Sequence, residues 1–125
     1  MSLDQTIMKS HRELTDQEFL DAFENCSLSE ELFTHEAHLR LGWLCIQQIG
    51  LHKSIMMVPM RIMAYTKSLN KAHIFNLELT VAAVKLIDHF KQYNPEDNFE
   101  QFLEHNPRLI NDLKGLIIEF YGEIG

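Results

Sequence analysis

"FTHEAHLRLGWLCIQQIG", residues 33–50, decides the fold class. At about 100° per residue, Leu39, Gly42, Ile46 and Ile49 fall within roughly 40° of His35, while Glu36, Arg40 and Gln47 gather near roughly 100–140°. An apolar stripe opposite a polar one is the signature of a half-buried helix. Thr34 can cap its first turn, and Phe33 is placed for a staple contact. Gly50 is a natural residue at which to leave the helix.

The same periodicity extends outward in both directions. Thr15 and Glu18 predict a capping box, after which Phe19, Leu20, Phe23 and Cys26 share one side of a first helix. Residues 51–69 carry Ile55, Val58, Ile62, Tyr65 and Leu69 along one stripe and Met56, Met60 and Met63 on the opposite side. Pro59 lies mid-way along this third helix and should kink or split it, because it removes one backbone hydrogen bond. A fourth helix is expected over 76–93. Asn94-Pro95 and Asn106-Pro107 each offer a cap followed by proline and should open a fifth and a sixth. Alternating β-branched runs are nearly absent. The expected fold is all-α, an antiparallel bundle of about six helices joined by short loops. Residues 1–13 are expected as a flexible N-terminal segment and 14–125 as one helical domain.

Charge and composition narrow the function classes. A formal charge of −7 with no Lys/Arg cluster argues against nucleic acid, which requires a positive footprint. The longest apolar stretch, "SIMMVPMRIMAY", is interrupted by Arg61 and falls far short of a membrane span of roughly 20 residues. Residues 1–12 hold no apolar core of signal-peptide length. Cys26 and Cys45 fall in predicted helices with no metal or redox spacing, which suits a reduced compartment. A soluble cytoplasmic protein is expected.

His35 and His38 lie on the apolar face of the second helix. On the fourth, Leu79, Ala83, Leu86, Ile87 and Phe90 define the core side, with Asn76 and Thr80 at its N-terminal end. Two helices therefore each turn a polar pair inward. An unpaired buried polar group costs about 1–3 kcal/mol. Either the four groups satisfy one another in an internal network, or they line a pocket that holds a ligand. Gly42 on the same face would let a backbone or ligand approach closely. The pocket reading makes His35, His38, Asn76 and Thr80 ligand-binding residues and leaves cofactor identity and enzymatic activity undetermined.

Metal is not expected. Zinc takes three or four His, Cys or carboxylate ligands, and His73, Cys45 or Glu78 would have to complete a set of two. The second histidine also comes one residue too early for a zinc-protease helix. The remaining residues read as structural. His11 and His105 are expected at the surface, His52 in solvent, His89 on a helix rim, and Arg40 with Glu36 as an exposed i,i+4 pair. An alternative to a pocket is an assembly protein with structural histidines. In that reading Met56, Met60 and Met63 form a homodimer contact, since a helix apolar nearly all round is usually covered.

Phe33, His35, His38, Leu39, Arg40 and Trp43 spell F-x-H-x-x-H-L-R-x-x-W. Together with the block preceding "LTVAAVK" at 79–85, this pattern resembles a family of small, uncharacterised bacterial all-α proteins over most of the chain after residue 14. The family's second block tends to read Lys-Tyr-His-x-Thr-Leu-Thr. Here Phe75, Asn76, Glu78 and Thr80 stand at its Tyr, His and two Thr positions, so Thr80 matches and Asn76 and Glu78 depart. The resemblance implies an all-α fold and points to the same two blocks, without implying a reaction.

Overall fold

Thr15 begins the first helix as its neighbours dictate. Its hydroxyl accepts from Glu18 N at 3.1 Å, and the Glu18 carboxylate accepts from Thr15 N at 2.8 Å. The computed structural model describes residues 8–122. Within them the chain forms α1 (Asp16–Glu24), α2 (His35–Ser68), α3 (Leu77–Lys91), α4 (Phe99–His105), α5 (Arg108–Asn111) and α6 (Leu113–Tyr121). Single 3-10 turns stand at His11–Glu13, Glu30–Leu32 and Ala72–Ile74, and no strand occurs among the described residues. The fold is all-α.

The chain reverses inside α2. A straight helix from residue 35 to residue 65 would extend about 45 Å at 1.5 Å per residue. Yet the rings of Phe33 and Tyr65 are 5.0 Å apart, and Arg61 reaches Cys45 Sγ at 3.4 Å. The turn is at Gly50, whose φ of 79° and ψ of 171° lie in a region open essentially to glycine alone. The limbs 35–49 and 51–68 therefore run side by side. Pro59, expected to kink or split this segment, is buried within it, and the only non-helical backbone in α2 is at Gly50. A missing N–H costs one hydrogen bond, whereas glycine's missing Cβ opens a conformation that reverses the chain.

Other boundaries shift for identifiable reasons. Asn98, not Asn94, caps α4, because Asn98 and Gln101 complete a capping box. The expected sixth helix is two, α5 and α6, separated at Asp112, whose carboxylate accepts from Gly115 N at 3.2 Å. Cys26 lies beyond α1 with φ 58°. Residues 8–13, expected in a flexible segment, pack onto the domain through buried His11; residues 1–7 lie outside the described residues.

The core is built where the limbs of α2 meet α1 and α3. Phe19, Phe23, Leu39, Leu41, Tyr65, Leu86 and Ile87 are all buried there. Tyr65 sends its hydroxyl to Leu28 O at 2.8 Å, and burial pushes its pKa up to about 12. α3 makes the most extensive packing with α2, helped by Gly42: a Cβ there would come within 2.8 Å of Ile87 Cδ1. Met56, Met60 and Met63 stay exposed, at 65%, 60% and 49%.

Candidate functional site

A cavity of about 380 Å³ opens between both limbs of α2 and the N-terminal half of α3. His35, His38, Asn76 and Thr80 all line it, with Thr66 as a further polar neighbour. The rest of its wall, including Leu39, Val58, Ile62, Phe75, Val84 and Ile87, is apolar. None of its lining residues is Asp, Glu, Lys or Arg.

Each polar group is first tied to its own surroundings. Thr34 caps α2 through its hydroxyl, which accepts from Ala37 N at 3.3 Å. Its carbonyl accepts from His38 Nδ1 at 2.8 Å. Phe33 then packs face to face on the His38 ring, with centroids 3.7 Å apart, so the staple predicted from Phe33 is made with an imidazole. His35 Nε2 donates to Leu109 O at 2.9 Å and ties the start of α2 to α5. Asn76 caps α3 through Oδ1, which accepts from Leu79 N at 3.0 Å, and Thr80 Oγ1 donates to Asn76 O at 2.8 Å. No hydrogen bond joins the histidines to Asn76 or Thr80 among the described residues. The four side chains share a cavity, and the mutual network weighed from the sequence is not formed.

Protein atoms crowd the His38 ring, yet its surface stays accessible, as expected of a group on a cavity wall. The crowding holds its pKa below the usual imidazole value, and the nearby His35 pushes in the same direction. At neutral pH His38 is thus an uncharged imidazole. A carbonyl can only accept, so Nδ1 must carry the proton and Nε2 the lone pair.

On the other side of the same first turn lies an arrangement that charge patterning hid. Arg40, expected in an exposed pair with Glu36, is buried at 6% exposure. Its guanidinium donates to His11 O (2.7 Å), Leu14 O (2.9 Å), Asp16 Oδ1 (2.8 Å) and His11 Nδ1 (3.2 Å), and lies 4.7 Å from the Phe19 ring centroid. His11, expected at the surface, is 1% exposed. Because Arg40 donates to its Nδ1, the proton of His11 sits on Nε2, which donates to Glu36 at 2.6 Å. Burial lowers the His11 pKa despite that carboxylate. The contact is therefore a hydrogen bond from a neutral ring rather than an ion pair. Arg12, bonded to both Glu36 oxygens, is what chiefly holds the Glu36 carboxyl down at about 2. The only sequence signal for this clamp was the arginine inside the F-x-H-x-x-H-L-R-x-x-W pattern.

The remaining histidines are elsewhere. His105 pairs with Asp97 at 2.6 Å, and His89 sits among Phe90, Tyr93 and Phe120. Among the described residues no group of three or more His, Cys, Asp or Glu is arranged to hold a metal ion. No helix among them is long and apolar enough to cross a membrane. A second cavity, about 360 Å³ near α5 and α6, has its charged residues Arg108 and Glu119 bonded to each other at 3.0 Å. Compared with known proteins, the chain matches no family model, no curated protein and no solved structure.

Proposed function

We propose that this protein binds a small molecule in the cavity between α2 and α3, with His35, His38, Asn76 and Thr80 as its polar contacts. One observation carries the reading: His35, His38, Asn76 and Thr80, with Thr66 beside them, converge from two helices on a single concave space whose remaining wall is apolar. A largely apolar wall with a few convergent polar groups is the usual composition of a ligand site, and about 380 Å³ falls in the range of roughly 300–1,000 Å³ typical of them. The backbone tethers on both imidazoles add to it, because a ring fixed in advance loses little freedom on binding. Membership of the bacterial family with the F-x-H-x-x-H-L-R-x-x-W pattern, an antiparallel bundle and a cytoplasmic location belong to the same proposal. The test is to follow both imidazoles by NMR while screening small amphiphilic compounds. Joint shifts of His35, His38 and Thr80 signals support the reading; a library that moves none of them removes it.

A second reading rests on Met56, Met60 and Met63, exposed together on one face of the limb 51–68. That face supports a homodimer or other protein contact, with the histidines purely structural. Sedimentation of wild type against Met60→Glu tests it: a wild-type dimer converted to monomer favours assembly, and a monomer in both dismisses it.

A further inference from the structure

We propose that the ligand of this cavity is an uncharged hydroxyl compound, an alcohol or phenol on a hydrocarbon body, a refinement that rests on the cavity being a binding site. The proposal follows from which hydrogen-bonding valences the protein has already used. His35 Nε2, His38 Nδ1, Thr66 Oγ1 and Thr80 Oγ1 donate to the carbonyls of Leu109, Thr34, Met63 and Asn76, at 2.9, 2.8, 3.1 and 2.8 Å. Every imidazole and hydroxyl proton on the wall is thereby spent inside the protein. What these four side chains retain are lone pairs: His35 Nδ1, His38 Nε2 and the two threonine oxygens. Asn76 is the reverse, since its Oδ1 accepts from Leu79 N and its amide N–H groups are what remain. The wall is rich in acceptors and has one side-chain donor.

That inventory discriminates between ligand classes. A carboxylate or phosphate brings only acceptors to a wall of acceptors, in a protein already carrying −7. An ammonium brings donors but would be desolvated without a counter-charge, because no carboxylate lines the cavity. A hydroxyl donates one hydrogen bond and accepts another. It can give its proton to an imidazole lone pair and receive one from the Asn76 amide, while its hydrocarbon body occupies the apolar wall. A site that presents a fixed acceptor also rejects analogues with nothing to donate, since the acceptor is then stripped of water and left unpaired.

A matched set of ring compounds tests this on the wild-type chain: benzyl alcohol, benzoate, benzylammonium and toluene. Affinities would be measured calorimetrically, with His38 and Thr80 NMR signals reporting occupancy of the cavity. At about pH 8, above the imidazole range, benzyl alcohol should bind at least about tenfold more tightly than each of the other three, the factor set by one hydrogen bond. His35 and His38 are the only titratable groups on the wall. Acid strong enough to protonate His38 turns its Nε2 lone pair into an N–H donor, so the alcohol's advantage over benzoate should then shrink or invert. His38→Phe and, separately, Thr80→Val should reduce the alcohol's preference over toluene. Toluene or benzoate binding in the cavity as tightly as the alcohol at pH 8 would overturn the hydroxyl assignment and leave the cavity as a site. If none of the four compounds moves the cavity signals, the assignment and the site reading are both lost.

Discussion

Replacing Arg40 by methionine should destabilise the protein by about 2–4 kcal/mol, from a buried carbonyl losing its donor and a lost cation–ring contact. The magnitude follows from what the guanidinium touches. Two buried backbone carbonyls, His11 O and Leu14 O, have Arg40 as donor at 2.7 and 2.9 Å. Leu14 O is left without that donor, at a cost of about 1–3 kcal/mol, while His11 O keeps its bond from Leu14 N at 3.0 Å. The contact with Phe19 is lost as well, and His11 loses the donor that fixes its tautomer. Methionine keeps much of the apolar volume, so cavity formation should add little. An exposed i,i+4 pair with Glu36 would instead be worth about 0.3–0.5 kcal/mol. The two accounts differ several-fold, well outside the error of urea denaturation. Arg40→Lys should fall between them, because one ammonium cannot span the four acceptors. A loss below about 1 kcal/mol for Arg40→Met, at unchanged m-value, would refute the clamp.

Glu36 makes stability pH-dependent. Its folded pKa of about 2 lies below its unfolded value, so its contribution is complete above about pH 4.5 and is lost as pH falls towards 2. Glu36→Gln should flatten acid unfolding monitored by circular dichroism across that window; an unchanged acid limb would count against it. Gly50→Ala should cost about 1–3 kcal/mol, because the alanine has open space but a backbone conformation it resists; a neutral thermal shift would contradict the reversal at Gly50. Gly42→Ala meets only the flexible end of Ile87, which borders the cavity and can move into it. The helix gain of about 1 kcal/mol should roughly offset that displacement, leaving stability near wild type while ligand affinity falls. Affinity unchanged in a stable Gly42→Ala would mean that Ile87 does not form the binding wall.

Most of the fold was legible because it is written locally. Thr15–Glu18 and Thr34 act as caps through atoms within three residues of themselves, and the stripe containing Leu39 and the face containing Leu86 and Ile87 follow from period alone. The four candidate residues do line one cavity, but the burial expected of them is not found: His35, His38 and Asn76 are exposed and Thr80 is half-buried. The reason is that all four sit at helix starts on the rim of an open cavity rather than in the packed core. What resisted reading was non-local. Arg40 lies on the polar side of its helix, and nothing within four residues indicates that residues 11–16 will fold over it and offer four acceptors. His11, expected at the surface, is buried by the same fold-over. Pro59 and Gly50 were weighed by ordinary propensities, under which proline is the breaker. The outcome turned on the chain needing to reverse, and only a residue tolerating φ of 79° could let it.

The clamp and the cavity share the first two turns of α2, which gives the motif a single physical rationale. Glu36 and Arg40 face one way and bind residues 11–16. His35 and His38 face the other, where Leu109 O and Thr34 O hold them. A helix start is ordinarily prone to fray, with four N–H groups lacking intrahelical partners. Here it is pinned by an arginine-centred network on one side and imidazole tethers on the other. Fraying would unlock both tautomers at once and return donors to the cavity wall. The acceptor pattern offered to a ligand therefore depends on Arg40, a residue that does not line the cavity. Arg40→Lys, if it still folds, should accordingly broaden the His35 and His38 signals and weaken discrimination among ligands before it abolishes binding. Sharp, unshifted imidazole signals in that variant would show the two halves of the motif to be energetically independent.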